Sequence, residues 1–211
     1  LKRGNDVLHI GFSSALSGSY NAAAMVADSL REAYPERRIL TVDSLSASMG
    51  EGLLVYYAAE QRRAGKSIDE VSDWLIANRL HLCHWFTVDD LFHLKRGGRI
   101  SAATALVGTV LGVKPVLHVD DEGKLVAVGK VRGRRKSLEA LVDEMEKTCT
   151  HPTEQVVFIS HGDSIEDAQY VERLVRERLN VKDVQINYVD PVIGAHSGPG
   201  TIALFFMGAQ R

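Results

Sequence analysis

Four serines, Ser13, Ser14, Ser17 and Ser19, crowd the junction between an apolar run (Val7, Leu8, Ile10, Phe12) and a stretch with Ala22, Ala23, Ala24, Met25, Val26, Ala27 and Leu30. The pattern predicts a strand, a hydroxyl-rich turn and a helix. A helix N-terminus leaves backbone N–H groups unpaired and carries partial positive charge. A carboxylate or phosphate placed there gains hydrogen bonds and a favourable dipole together. Gly18 would let such a group come close to the backbone. The plainer reading is that Ser17 or Ser19 caps the helix and binds nothing. The number of hydroxyls exceeds what one cap needs. A nucleophile elbow is disfavoured, because Gly11-Phe-Ser-Ser-Ala15 has alanine where G-x-S-x-G requires its second glycine.

Near the other end, Gly194-Ala-His-Ser-Gly-Pro-Gly200 reads as a rigid turn between two strands. It presents the His196 imidazole, which can donate hydrogen bonds to an anion or shuttle a proton. Leu94-Lys-Arg-Gly-Gly-Arg-Ile-Ser101 places guanidinium groups beside a glycine turn, as a phosphate or partner contact or as a solvated basic turn. It lacks the spacing of a Walker A loop. Lys130-Val-Arg-Gly-Arg-Arg-Lys136 reads as a solvated face or a protein-docking patch. His81, Cys83, His84 and His93 could suggest a metal, but strand alternation separates His84 from Cys83 and no second cluster completes a ligand set. His161-Gly-Asp163 could serve a serine hydrolase, although a strand-end turn with Asp163 or Ser164 capping the next helix is preferred.

The elements that must position these groups follow from periodicity. A strand over 38–42, a helix over 49–64 and a helix with Ile68, Val71, Trp74 and Leu75 follow the first strand and helix. Beyond residue 80 come a strand over 81–88, a short helix over 89–94, a helix over 100–110, and strands over 115–119 and 125–131 joined by a hairpin turn at 120–123. An amphipathic helix over 137–149, a strand over 155–160, a helix over 165–179 and strands over 184–189 and 202–207 complete the chain. The expected class is α/β with two domains. Residues 1–79 would form an α/β layer with a parallel sheet, and residues 80–211 a mixed sheet covered mainly on one face.

Composition narrows the function. Across 211 residues, 25 Lys and Arg face 27 Asp and Glu, a net charge of -2, so no global basic field points to nucleic acid. The apolar runs are too short to insert stably in a bilayer. Two cysteines far apart fit a reducing, cytoplasmic setting. The first residue is Leu1 and a strand follows almost at once, so the chain is expected to begin inside a domain.

Taken in order, Ser17-Gly-Ser19, Asp43-Ser44 followed by Gly50, Leu94-Lys-Arg-Gly-Gly-Arg-Ile-Ser101, Lys114-Pro115, Val131-Arg-Gly-Arg-Arg135 and Ala195-His-Ser-Gly-Pro-Gly200 resemble the DegV family of bacterial fatty-acid-binding proteins. The resemblance spans essentially the whole chain. It implies a three-layer α/β/α domain with a parallel sheet joined to a two-layer α/β domain with a mixed sheet, and one long-chain fatty acid held between them. It further implies a carrier without turnover of its own and without a cofactor. Such a carrier presents the carboxylate to a separate ATP-dependent fatty-acid kinase, which makes the acyl phosphate used in phospholipid metabolism. Carried over by motif, Ser17, Gly18, Ser19, His196 and Ser197 would bind the ligand, and Arg96 or Arg99 would meet the kinase. The family pattern has threonine where this chain has Ser19 and Ser197, which keeps the hydroxyl. Family members also carry an earlier segment with a Thr-Ser-x-Pro-Ser motif, and nothing here corresponds to it. Two rivals remain: a serine hydrolase using a junction serine with His196 or His161, and a phosphate-ligand binder using the helix N-terminus and Arg99.

Overall fold

A computed structural model describes residues 1–101 and 112–211. The helix expected over 100–110 falls almost wholly outside these residues. Strands β1 (Val7–Gly11) and β2 (Ile39–Asp43) pair in parallel, with Ile10 opposite Val42. Helix α1 (Ser19–Ala33) connects them. Strand alternation divides the small sheet: Leu8, Ile10 and Val42 share a core with α2 (Met49–Arg63) and α3 (Ile68–Asn78), while Val7, His9 and Ile39 face α1. Helix α3 opens with a capping box in which Ser67 accepts from the Glu70 N–H and Glu70 accepts from the Ser67 N–H.

The second sheet has six strands in the order β5-β4-β3-β8-β6-β7. They are β3 (Leu82–Thr87), β4 (Val113–Val119), β5 (Leu125–Arg132), β6 (Val156–His161), β7 (Asp183–Tyr188) and β8 (Ile202–Met207). All neighbours are antiparallel except β6 and β7, which run parallel. Among the described residues, the helices between them are α4 (Leu91–Arg96), α5 (Arg134–Thr148), α6 (Ile165–Leu179) and α7 (Pro191–Ser197), with a 3₁₀ turn at Pro152–Glu154.

This mixed α/β architecture agrees with the expected fold class, and one expectation about its layers needs correction. The large sheet is not covered mainly on one face. Leu138, Leu141 and Met145 of α5 and Val171 and Val175 of α6 pack on Cys83, Ile159, Leu204 and Phe206. On the opposite face, Phe86, Leu117, Ala203 and Phe205 share a core with Leu53, Leu54 and Ala58 of α2. The apolar periodicity of α2 places it in the first layer but does not name its partner. Its stripe in fact meets both sheets.

Candidate functional site

Where the small sheet, the large sheet and α7 converge, they enclose a cavity of about 350 Å³. That volume is ordinary for a small-molecule site, whose range is about 300–1,000 Å³. Phe12, Leu16, Phe86, Leu125, Val192 and Ile193 supply apolar wall. Ser17, Ser19, Arg99, His196 and Ser197 stand on the same cavity. The structure therefore brings together the serine junction, the basic glycine turn and the histidine segment.

The junction itself differs in detail from expectation. Neither Ser17 nor Ser19 is the N-cap of α1. Gly18 occupies that position and no side chain caps the helix. Ser17 Oγ instead accepts from the Ser19 N–H at 3.2 Å and donates to Ser19 Oγ at 3.1 Å. The first turn of α1 carries no acidic residue, so its positive end faces no carboxylate of its own. That leaves a hydroxyl pair and an uncapped helix start beside an apolar cavity.

His196 also sits in a different local structure. The turn expected over 194–200 is the end of α7, with the glycine-proline turn only after Ser197. Asp190 caps this helix, accepting from the N–H groups of Val192 at 2.8 Å and Ile193 at 3.1 Å, and Pro191 takes the first helical position. The Asp190-Pro191 pair was the signal available in the sequence, outweighed there by the glycines downstream. At the helix end, Gly198 adopts φ +79°, and a Cβ on it would come within 2.6 Å of the His93 ring. Ser197 is buried, and its Oγ finds no hydrogen-bond partner among the described residues. A buried hydroxyl left unpaired costs stability unless a ligand or water meets it.

The two arginines of the Lys-Arg-Gly-Gly-Arg turn part company. Arg99 lies in the cavity wall, where its Nε donates to the Leu16 carbonyl at 3.2 Å. Arg96 is exposed, with Nη2 3.3 Å from His93 Nδ1. In the second basic run, Arg134 is a brace and not part of a solvated face. It donates to Asp167 Oδ2 at 2.8 Å and to the Gly200 carbonyl at 2.6 Å, tying α5 to α6 and to the turn after α7.

His161 Nδ1 accepts from the Ser164 N–H at 3.2 Å, the strand-end turn preferred from sequence, and its ring packs on Tyr188. Burial lowers the pKa of His161. No group of three His, Cys, Asp or Glu side chains suited to a metal occurs among the described residues. No helix among them is long and apolar enough to cross a membrane.

Sequence reasoning gave no role to several cavity residues. His84 on β3, Ser48 before α2, Ser160 on β6 and Asp190 all line it. Period-2 alternation put His84 on the opposite face of β3 from Cys83, as observed. It held no information on what that face would meet.

Comparison with known proteins extends this geometry. The model of a family described as uncharacterised protein, DegV family COG1307, matches residues 1–209. A DegV domain-containing protein of Clostridium perfringens, CPE0026, is 49% identical over 211 residues, which is 100% of this chain and 72% of that protein. Among solved structures, one reported as fatty acid binding of a DegV family protein from Thermus thermophilus is 30% identical with a TM-score of 0.87, covering 98% of this chain and 72% of that one. The Streptococcus pneumoniae Fatty Acid Kinase (Fak) B3 protein loaded with linoleic acid shares the fold, with a TM-score of 0.86 at 24% identity over 96% of this chain and 72% of that one. With its whole-chain match and its serine junction, basic turn and histidine helix gathered on one cavity, the chain belongs to the DegV family.

Proposed function

We propose that the cavity holds one long-chain fatty acid, with its carboxylate at Ser17, Gly18, Ser19, His196 and Ser197. The observation that carries this reading is a single apolar cavity on which the Ser17 hydroxyl, the Arg99 guanidinium and the His196 imidazole all stand. A carboxylate there would accept from hydroxyl, imidazole and the free N–H groups of α1. Burial of the chain would supply most of the affinity, at about 0.8 kcal/mol per CH₂. The relative from Thermus thermophilus supports the ligand class.

The fold shared with a protein named for a fatty-acid kinase supports a carrier role, in which a separate ATP-dependent kinase phosphorylates the presented carboxylate. No acid–base machinery is needed in such a carrier, and Ser17 is hydrogen-bonded to Ser19 instead of to an imidazole base. Exposed Arg96 suits a kinase contact, whereas Arg99 in the cavity wall suits the carboxylate end. The free thiols Cys83 and Cys149 accord with a reducing, cytoplasmic setting.

Denaturing extraction of the purified protein followed by mass spectrometry should release a long-chain fatty acid. Ser17→Ala and His196→Ala should each weaken its retention by roughly tenfold or more, since a hydrogen bond to a charged group is worth about 1.5–3 kcal/mol. Circular dichroism should show both variants folded. A protein that neither carries nor takes up any long-chain acid would refute the reading.

A further inference from the structure

The end of α7 lies against α4, and two glycines allow the approach. Gly97 at the C-cap of α4 faces His196 with no side chain between them, and Gly198 at the C-cap of α7 faces His93 in the same way. A Cβ on Gly198 would stand 2.6, 2.8 and 3.0 Å from Cδ2, Cγ and Nε2 of the His93 ring. The Gly198 backbone, at φ +79° and ψ 172°, occupies a region essentially reserved for glycine. Ser197, buried and with its Oγ unpaired among the described residues, sits between these two contacts.

Other groups fix the Gly198 backbone as well. Its N–H donates to the Gly194 carbonyl at 2.8 Å and its carbonyl accepts from Thr201 Oγ1 at 2.8 Å. A Cβ on Gly162, just after β6, would come within 2.8 Å of that carbonyl oxygen. His93 supplies the contact from α4. Arg96 Nη2 lies 3.3 Å from His93 Nδ1, and because a guanidinium only donates, Nδ1 accepts. This bond orients the ring and leaves its Cδ2 side on Gly198. His93 is half-buried and does not line the cavity, so it reaches a ligand only through its neighbours.

Ser197 and His196 stand on the cavity, and the two residues that flank them in space, Gly97 and His93, both belong to the α4 segment. We infer that His93 is a positioning residue for the carboxylate end of the cavity. Its ring, packed on Gly198, fixes where α7 stops and so holds the Ser197 hydroxyl and the His196 imidazole in line with a bound carboxylate. Hydrogen bonds to an anion depend on such alignment. This rests on the fatty-acid reading and adds to it a residue that does not touch the ligand.

The test is calorimetric titration of the delipidated full chain with stearate. His93→Ala should weaken binding about tenfold, and His93→Phe, which keeps a flat ring on Gly198, should stay within about twofold of wild type. In a His196→Ala background, adding His93→Ala should cost much less than tenfold, because residues that act through one another are not additive. A role in stability alone would give losses that add in full. His93→Leu, whose branched side chain cannot lie flat on Gly198, should behave like His93→Ala and replaces it if that variant fails to fold. Unchanged binding in His93→Ala, an equal loss in His93→Phe, or full additivity with His196→Ala overturns the proposal while fatty-acid binding stands. If the wild-type chain takes up no stearate, the underlying reading of the cavity fails as well.

Discussion

At the scale of single residues, His196 depends on a neighbour far away in sequence. A Cβ on Gly97, at the C-cap of α4, would lie 2.1 Å from His196 Nδ1, so the absent side chain is what gives the imidazole its place. Gly97 has φ -73°, which alanine adopts freely, so Gly97→Ala carries no backbone strain and its nearest clash is with the His196 ring. Gly97→Ala should therefore reduce fatty-acid retention to nearly the extent of His196→Ala. Calorimetric titration would read the loss, and a thermal melt should move by only a few degrees. Normal retention would show that His196 does not need this position. Ser17 and His196 are legible in the sequence as candidates because hydroxyl and imidazole chemistry is carried by residue type. The Gly97–His196 contact was not, because nothing local to either residue encodes it.

At the scale of elements, α2 joins the two sheets, and Gly50 in its first turn marks how closely. A Cβ there would meet Ser46 Oγ at 2.3 Å and the Phe205 ring at 2.8 Å. Elsewhere in a helix, replacing glycine with alanine gains about 1 kcal/mol. Here overpacking against the fully buried Phe205 costs about 1–3 kcal/mol and should exceed that gain. Gly50→Ala should thus lower the urea midpoint, and a raised midpoint would mean that α2 can lift from the sheet at no cost. Most elements were readable from period and turn chemistry. The hairpin between β4 and β5 is one example, where Asp120 Oδ1 accepts from the N–H groups of Glu122 and Lys124 at 3.0 and 2.8 Å. Helix α7 was missed because seven residues hold too few turns for periodicity to register, and glycine and proline dominate the adjoining segment.

At the scale of the molecule, buried charge makes stability depend on pH. Burial of Glu51, and secondarily the charge of Asp190, raise its pKa to about 7 from the usual carboxylate value. The folded state then holds a proton that the unfolded state releases earlier. Stability from this group is complete below about pH 4.5 and is lost as pH rises through about 7. Glu51→Gln should leave stability near pH 4.5 little changed and raise it at pH 8. Urea unfolding of both proteins at the two pH values would check this, and a variant less stable than wild type at pH 8 would contradict it. His84 acts oppositely, because its depressed pKa costs stability as pH falls below its ordinary value toward about 3. Arg211 ties distant segments together in a way no motif announces. Its guanidinium donates to the carbonyls of Leu82 at 3.0 Å, Leu45 at 2.8 Å, Asp120 at 3.0 Å and Arg79 at 2.8 Å.

The sequence by itself determined most of the strands and helices, the α/β class and the candidate side chains for holding an anion, because backbone preference, hydrophobic period and side-chain chemistry are local properties. Only the tertiary structure decided that α2 covers the second face of the large sheet and that Arg99, Ser48, Ser160 and His84 belong to the same cavity. Packing chooses partners by the shape and apolar surface of whole elements. Residues distant along the chain acquire a joint function only when those elements close around a common space.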